Sequence, residues 1–469
     1  MTIGGQDLLI QLDTGSSDLW VSLPSGQFEF TNVTDITAQE TYGIGAVTGT
    51  IVFANASLGD HFVYNQGTYF LACRLSSHTD LHNVRGILGL SFDAGSTVDV
   101  DVVEAFGANS TAGVSFLVNL FLQNPNMSHF FTTQLGRTDD PQYTMEGFFT
   151  IGDYVPGLEA VAQQPQLERF PNSSPTGNPP RWSTVMSGMT VNGEPFAFNA
   201  SGVPGTPNGS VVAVLDTGFT FPPIPEEAVT FIYGSIEGAY FDNNSSLWIV
   251  PCENATQLEF QFENMSVPIH PLDLTTVVEL NNQTVCVNTF RATTFPVNDQ
   301  FDIILGDAFL KNVYASFNYG NWSASDPDAI PYIQLLPTTN LTAAFDEFAQ
   351  VRSSMVTSAE ASASMSATAS IMPSAASGSS DSVLPTTSVL YSSAWSTYPA
   401  SSAWASYSSA SSASFTWSSA APTASASADS NSSSTNTSAS TTTDPTDPSA
   451  NSTDTSASAT ESAADSEFT

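Results

Sequence analysis

The sequence predicts a mostly β chain of two related lobes followed by a disordered tail. Three observations carry this. Short apolar or alternating runs bounded by Gly, Pro, Asn and Asp fill the first 350 residues, which is the pattern of strands and turns. One run and its Asp-Thr-Gly turn recur in the second half. Near residue 350 the composition changes, and from Ser353 onward about half the residues are Ser or Thr and none is basic.

The strand-like runs include Leu8-Leu9-Ile10, Val47 to Phe53, Val211 to Leu215 and Phe301 to Leu305. Helices are expected to be few, with Glu226 to Tyr233 and Ala308 to Val313 the best candidates. The Ser/Thr-rich segment cannot bury enough apolar surface to offset its ordering entropy. It reads as a disordered, O-glycosylated stalk, and the aromatics between Tyr391 and Trp417 as local stickiness. The boundaries that follow are a first lobe over 1–160, a second over 161–345 and a stalk over 346–469. N-x-S/T acceptors are dense, among them Asn32, Asn55, Asn126, Asn208, Asn254 and Asn340. That density suggests a secretory route, so the expected location is extracellular or cell-wall associated.

Charge narrows the function. There are 8 Lys and Arg against 45 Asp and Glu, for a formal net charge of −37. Phosphate backbones would repel such a chain, which argues against nucleic acid. Anionic lipid is disfavoured because basic clusters are lacking, and no apolar run is long enough for a membrane helix. Most of the acids precede residue 353, so the acidity belongs to the lobes. It reads either as plain solubility or as adaptation to acid, where carboxylates gain protons and self-repulsion falls.

The repeat is the most informative feature. Leu9-Ile10-Gln11-Leu12-Asp13-Thr14-Gly15 is matched by Val211-Val212-Ala213-Val214-Leu215-Asp216-Thr217-Gly218. Gly86-Ile87-Leu88-Gly89-Leu90 is matched by Ile303-Ile304-Leu305-Gly306-Asp307. Gly89 lies 76 residues after Asp13, and Gly306 lies 90 after Asp216. Two elements in one order at similar spacing indicate a duplicated lobe. Asp and Gly also make ordinary turns, but that does not account for two such pairs.

A strand ending in Asp-Thr-Gly can hold a carboxylate rigidly. Gly lets backbone approach closely, and Thr can lock the loop by hydrogen bonding. If the lobes pack about a twofold axis, Asp13 and Asp216 meet there. Two carboxylates that close share one proton. One serves as general base toward a water, and the other donates toward a peptide carbonyl. No metal, cofactor or nucleophilic side chain is needed.

At this point the chain resembles the pepsin-like aspartic proteases, in particular the fungal secreted type, over roughly residues 1–340. Asp13-Thr14-Gly15-Ser16-Ser17-Asp18-Leu19-Trp20-Val21 is similar to the first active-site signature, and Thr41-Tyr42-Gly43-Ile44-Gly45 to the flap hairpin. The resemblance implies a bilobal acid protease fold with a cleft for an extended peptide, and peptide or protein as substrate. It makes Asp13 and Asp216 catalytic, with Thr14 and Thr217 crossing the two loops. Gly15 and Gly218 complete the two turns, and Ser16 steadies Asp13. Tyr42 would bond toward Trp20, and Gly43 would offer backbone to the substrate. Cys252 and Cys286 fall where the family has a second-lobe disulfide, the alternative being two reduced thiols. Cys73 reads as a buried thiol, and His78, Asp80 and His82 as a loop with no metal. Asp307 reads as structural. The chain is expected to be monomeric.

Three departures stand out. Phe219 occupies the place after the second Asp-Thr-Gly where the family carries a hydroxyl, which suggests weakened activity, a shifted pH optimum or a binding protein of the same fold. The family has a signal peptide, a propeptide and an opening strand ahead of the stretch matching Met1, so an N-terminal truncation is expected. The flap carries Ile44 and Ala46 in place of polar residues.

Overall fold

A computed structural model describes residues 1–22, 28–42, 46–71, 84–107, 109–137, 147–171, 179–281, 283–293, 300–320 and 330–369, with side chains to residue 361. Gly43, Ile44, Cys73, His78, Asp80, His82 and the tail beyond 369, with its aromatics, lie outside the described residues.

The architecture is mostly β, in the bilobal pepsin-like arrangement. The first half is built on an eight-stranded sheet. Its long hairpin pairs Ala46–Leu58 with His61–Leu71. Asn32–Thr41 pairs with Ala46–Leu58 in a register ending at Thr41 opposite Ala46. That register puts Tyr42 at the start of the hairpin turn. Val47 to Phe53 is strand, as the pattern implied, whereas Leu8-Leu9-Ile10 is not: the strand is Gln11–Asp13. Two helices, Thr97–Phe106 and Phe116–Gln123, were not foreseen. The first opens on the alternation Val98-Asp99-Val100-Asp101-Val102, which has the period of a strand, and the second is a nearly continuous apolar run, which periodicity alone does not separate from one.

The duplication is visible in the backbone. Gln11–Asp13 pairs in parallel with Gly86–Gly89, setting Asp13 opposite Gly89. Val211–Leu215 pairs in parallel with Ile303–Leu305, setting Leu215 opposite Leu305. The expected helix at Glu226–Tyr233 is present, and the one near Ala308 spans Asp307–Leu310. Cys252 and Cys286 are bonded to each other, closing a loop of 34 residues. Such a closure is worth about 4 kcal/mol in the chain-entropy model.

A five-stranded sheet joins the halves, ordered Phe148–Ile151, Phe130–Gln134, Val313–Asn318, Tyr332–Pro337 and Leu167–Glu168. One edge strand is only two residues long, which limits its use as a template for pairing. An aromatic core packs here. Phe131 stacks on Phe317 at 4.8 Å, and Trp182 meets Phe92, Phe317 and Tyr319. Its polar atoms are satisfied: the Trp182 indole and the Tyr319 hydroxyl both donate to the Leu90 carbonyl, at 2.9 and 3.0 Å.

The tail boundary at 346 needs correction. A helix spans Leu341–Ala369, capped at its start by Asn340, whose Oδ1 accepts from the Ala343 amide. Ala344, Phe348, Val351 and Arg352 are buried. Their spacing places them on one helical face, and that face packs on the second half. Arg352, 1% exposed, donates through Nη2 to the carbonyls of Leu272 and Thr275. Composition pointed to a stalk because Ser and Ala dominate here, but three apolar side chains and one arginine suffice to dock a helix.

Candidate active site

The two Asp-Thr-Gly turns meet. Each hangs from its sheet by the backbone. The Leu90 amide donates to the Asp13 carbonyl at 2.8 Å, and the Asp216 amide donates to the Leu305 carbonyl at 3.0 Å. Leu90 is the residue whose carbonyl the aromatic core holds, so the first turn is tied to that core.

The threonines cross. The Thr14 amide donates to Thr217 Oγ1 and the Thr217 amide to Thr14 Oγ1, both at 3.0 Å. Each hydroxyl donates on to the strand of the other turn, Thr14 to the Leu215 carbonyl and Thr217 to the Leu12 carbonyl, both at 2.8 Å. Four hydrogen bonds spanning more than 200 residues of sequence therefore fix the two turns against one another.

The glycines explain themselves by contact. A Cβ on Gly15 would lie 2.3 Å from Asp216 Oδ2. A Cβ on Gly218 would lie 2.4 Å from Asp13 Oδ1 and 3.1 Å from Asp216 Oδ1. Each turn's glycine thus packs against the other turn's carboxylate, and both carboxylates converge on the same spot. Gly89 and Gly306, the second repeated element, lie as tightly under the loops. A Cβ on Gly89 would strike the Ser17 backbone, and one on Gly306 would strike the Phe219 carbonyl.

The carboxylates are not equivalent. Asp13 accepts from the Gly15 amide at 2.9 Å and from Ser16 Oγ at 2.5 Å. Asp216 accepts from the Gly218 amide at 2.8 Å, and Phe219 brings no hydroxyl. Burial holds the Asp216 carboxyl well above the usual range, and the neighbouring Asp13 charge raises it further. The Gly218 amide and the Arg181 charge oppose this.

Around the pair lies a shell of buried acids. Asp18 is 2% exposed and accepts from Ser96 Oγ at 2.5 Å and from the Thr97 amide at 2.8 Å. Burial outweighs those donors and pushes its carboxyl up to about 6. Glu40, on the flap strand, accepts from Thr97 Oγ1 at 2.9 Å, and burial with the nearby Asp18 pushes it up to about 7. Asp307 begins its short helix, and its amide donates to the Phe219 carbonyl at 2.8 Å. Burial pushes its carboxyl up to about 7.

Tyr42 packs against the cluster that contains Trp20. The expected hydrogen bond between them is not formed in good geometry: the Tyr42 hydroxyl and Trp20 Nε1 are both buried and neither has a well-formed partner among the described residues. Burial raises the Tyr42 phenol far above its normal value, so it stays neutral.

The sequence reading brought out Asp13, Thr14, Gly15, Ser16, Thr217, Gly218 and Asp216, and the structure brings these seven together. It missed the buried carboxyls of Asp18 and Glu40, and it missed Arg181, whose Nη1 donates to the Gly15 carbonyl at 3.1 Å. Asp18 sits inside the first signature and Arg181 is one of few cations. Those signals were available, but neither says what folds against it.

Comparison with known proteins agrees with this geometry. The family model of the eukaryotic aspartyl proteases matches residues 1–325. The chain belongs to that family, which makes it an aspartic-type peptidase of pepsin-like fold. It is 23% identical over 360 residues to major aspartyl peptidase 1 of Cryptococcus neoformans, covering 72% of this chain and 68% of that protein. It is 24% identical over 356 residues to the aspartic-type endopeptidase ctsD of Aspergillus fumigatus, covering 72% and 66%. Pig pepsin A is 24% identical over 334 residues, covering 67% of this chain and 76% of pepsin A. The chain spans about two thirds of the length of the first two relatives.

Proposed function

We propose that the protein is an acid endopeptidase in which Asp13 and Asp216 activate a water and hydrolyse a peptide bond. The observation that carries this is the crossed packing, in which each turn's glycine lies against the other turn's carboxylate. Two acids so close titrate as a pair and share a proton. The Asp13 carboxylate accepts two hydrogen bonds, from the Gly15 amide and Ser16 Oγ, and burial favours the proton on Asp216. Asp13 takes a proton from the water as its oxygen attacks the peptide carbon. Asp216 gives its proton to the carbonyl oxygen. The tetrahedral diol collapses, the C–N bond breaks, and the proton on Asp13 passes to the departing amine while Asp216 recovers its own.

The substrate is an extended peptide or protein segment lying in the cleft between a first lobe over 1–160 and a second that begins at 161, under the hairpin that begins its turn at Tyr42. Large apolar residues flank the scissile bond. The protein acts as an extracellular or cell-wall-associated monomer and does not bind nucleic acid. The acceptors Asn32, Asn55, Asn126, Asn208 and Asn340 are exposed, which suits a glycoprotein, and the net charge of −37 disfavours polyanions. No described helix is long and apolar enough to cross a membrane.

The test is cleavage of acid-denatured globin at pH 3–5, with and without a statine-type inhibitor, by the full chain and by Asp13→Asn. Inhibitable cleavage lost in Asp13→Asn supports the reading. Folded protein that does not cleave would point to the binding role that Phe219 suggests.

A further inference from the structure

Among the described residues, Arg181 sets a cation against the first active-site turn. Arg181 adjoins Trp182, whose buried indole is held by the Leu90 carbonyl, so the backbone at 181 is anchored by the aromatic core. The Arg181 side chain turns toward the first active-site turn and donates through Nη1 to the Gly15 carbonyl at 3.1 Å. Its guanidinium also lies over the Phe301 ring, 5.7 Å from the centroid. Gly15 is the residue whose amide donates to Asp13 Oδ1 and whose Cα faces Asp216 Oδ2. A full positive charge is thus hydrogen-bonded to the residue that touches both carboxylates.

We infer that Arg181 is a positioning residue of this site: its Nη1 holds the Gly15 carbonyl, and its charge sets the working pH window of the Asp13–Asp216 pair on the acid side. The inference rests on the two-aspartate reading and adds to it a residue outside both Asp-Thr-Gly turns.

The surrounding charges fit this role. Glu40 and Tyr42 on the flap hairpin feel the charges of Asp13 and of Asp18, which follows the first turn, and Asp307 lies behind Phe219. Burial raises all four, pushing the Asp18 carboxyl up to about 6 and those of Glu40 and Asp307 up to about 7, so in acid they are largely neutral. Arg181 stays charged throughout. It favours the ionised form of Asp216 and also acts on Glu40. Removing that charge lets the shared proton persist to higher pH.

The experiment is the pH profile of kcat/KM on denatured globin from pH 2.5 to 7, for the full chain and for Arg181→Gln, Arg181→Met and Arg181→Lys. Methionine keeps an apolar stem over Phe301, so a folding failure of the glutamine variant leaves a second neutral one. Asp13→Asn comes first; if it still cleaves, the two-aspartate reading falls and this inference falls with it. With Asp13→Asn inactive, the neutral variants are expected to move the basic limb upward by about half to one pH unit, and lysine to hold it near the wild-type position. A limb that stays put in both neutral variants, or moves as far in Arg181→Lys, overturns the role of the charge while leaving the paired aspartates intact.

Discussion

Replacing Asp18 with Asn should make the protein less sensitive to neutral pH. Asp18 is 2% exposed and its carboxyl is pushed from 3.8 up to about 6. The folded state therefore binds this proton more tightly than the unfolded state does. The stability it contributes is fully present below about pH 3.8, is lost as pH rises through about 6, and stays lost above that. At about 1.4 kcal/mol per pH unit, the swing is about 3 kcal/mol. Glu40 acts in the same sense between 4.5 and about 7. Part of its rise comes from Asp18, so the two do not simply add. Against a typical total stability of about 5–15 kcal/mol, this is a large fraction. In Asp18→Asn the amide oxygen can still accept from the Thr97 amide, while the titration disappears. Melting temperatures at pH 4, 5.5 and 7 should fall steeply for the wild type and less for the variant. A wild type that melts higher at pH 7 than at pH 4, or a variant whose loss equals the wild type's, would refute the reasoning.

Other outcomes follow from the same geometry. Phe219→Thr supplies the hydroxyl that Asp216 lacks, and a donor to the charged form lowers a carboxylate's pKa; the basic limb of the kcat/KM profile should move to lower pH, and an unchanged profile would sink the idea. Thr14→Val keeps the shape but deletes the bond to the Leu215 carbonyl and the acceptor for the Thr217 amide; it should cost about 2–6 kcal/mol of stability, at about 1–3 for each group left unsatisfied, read by urea unfolding at pH 4. Arg352→Ala removes the donor to the Leu272 and Thr275 carbonyls; the Leu341–Ala369 helix should become a site of early proteolysis, with cleavage of globin retained. A protease pattern identical to wild type would show that the apolar face docks the helix unaided.

Much of the site was legible in the sequence because it is written locally and twice. Asp-Thr-Gly after an apolar strand carries its own chemistry: a carboxylate, a locking hydroxyl and a residue that tolerates close contact. Recurrence with a second glycine element marked two lobes. The helix Glu226–Tyr233 has the period that local sequence encodes, and the strand Val211–Leu215 is a short, mostly β-branched apolar run leading into its turn. Where period was lacking, the sequence was silent: the nearly all-apolar helix Phe116–Gln123 could equally have been a buried strand.

By itself, then, the sequence determined a duplicated, acidic, strand-rich chain whose two Asp-Thr-Gly turns mark the proposed chemical centre. Only tertiary structure decided the rest. The crossed threonines join residues 203 apart, and Arg181 reaches Gly15 across 166. The proton affinities of Asp18 and Glu40 depend on how deeply the lobe buries them. The tail begins later than composition implied because Phe348, Val351 and Arg352 find a surface to cover. Each of these is a property of the packed environment, and residues so distant in sequence do not encode who their neighbours will be.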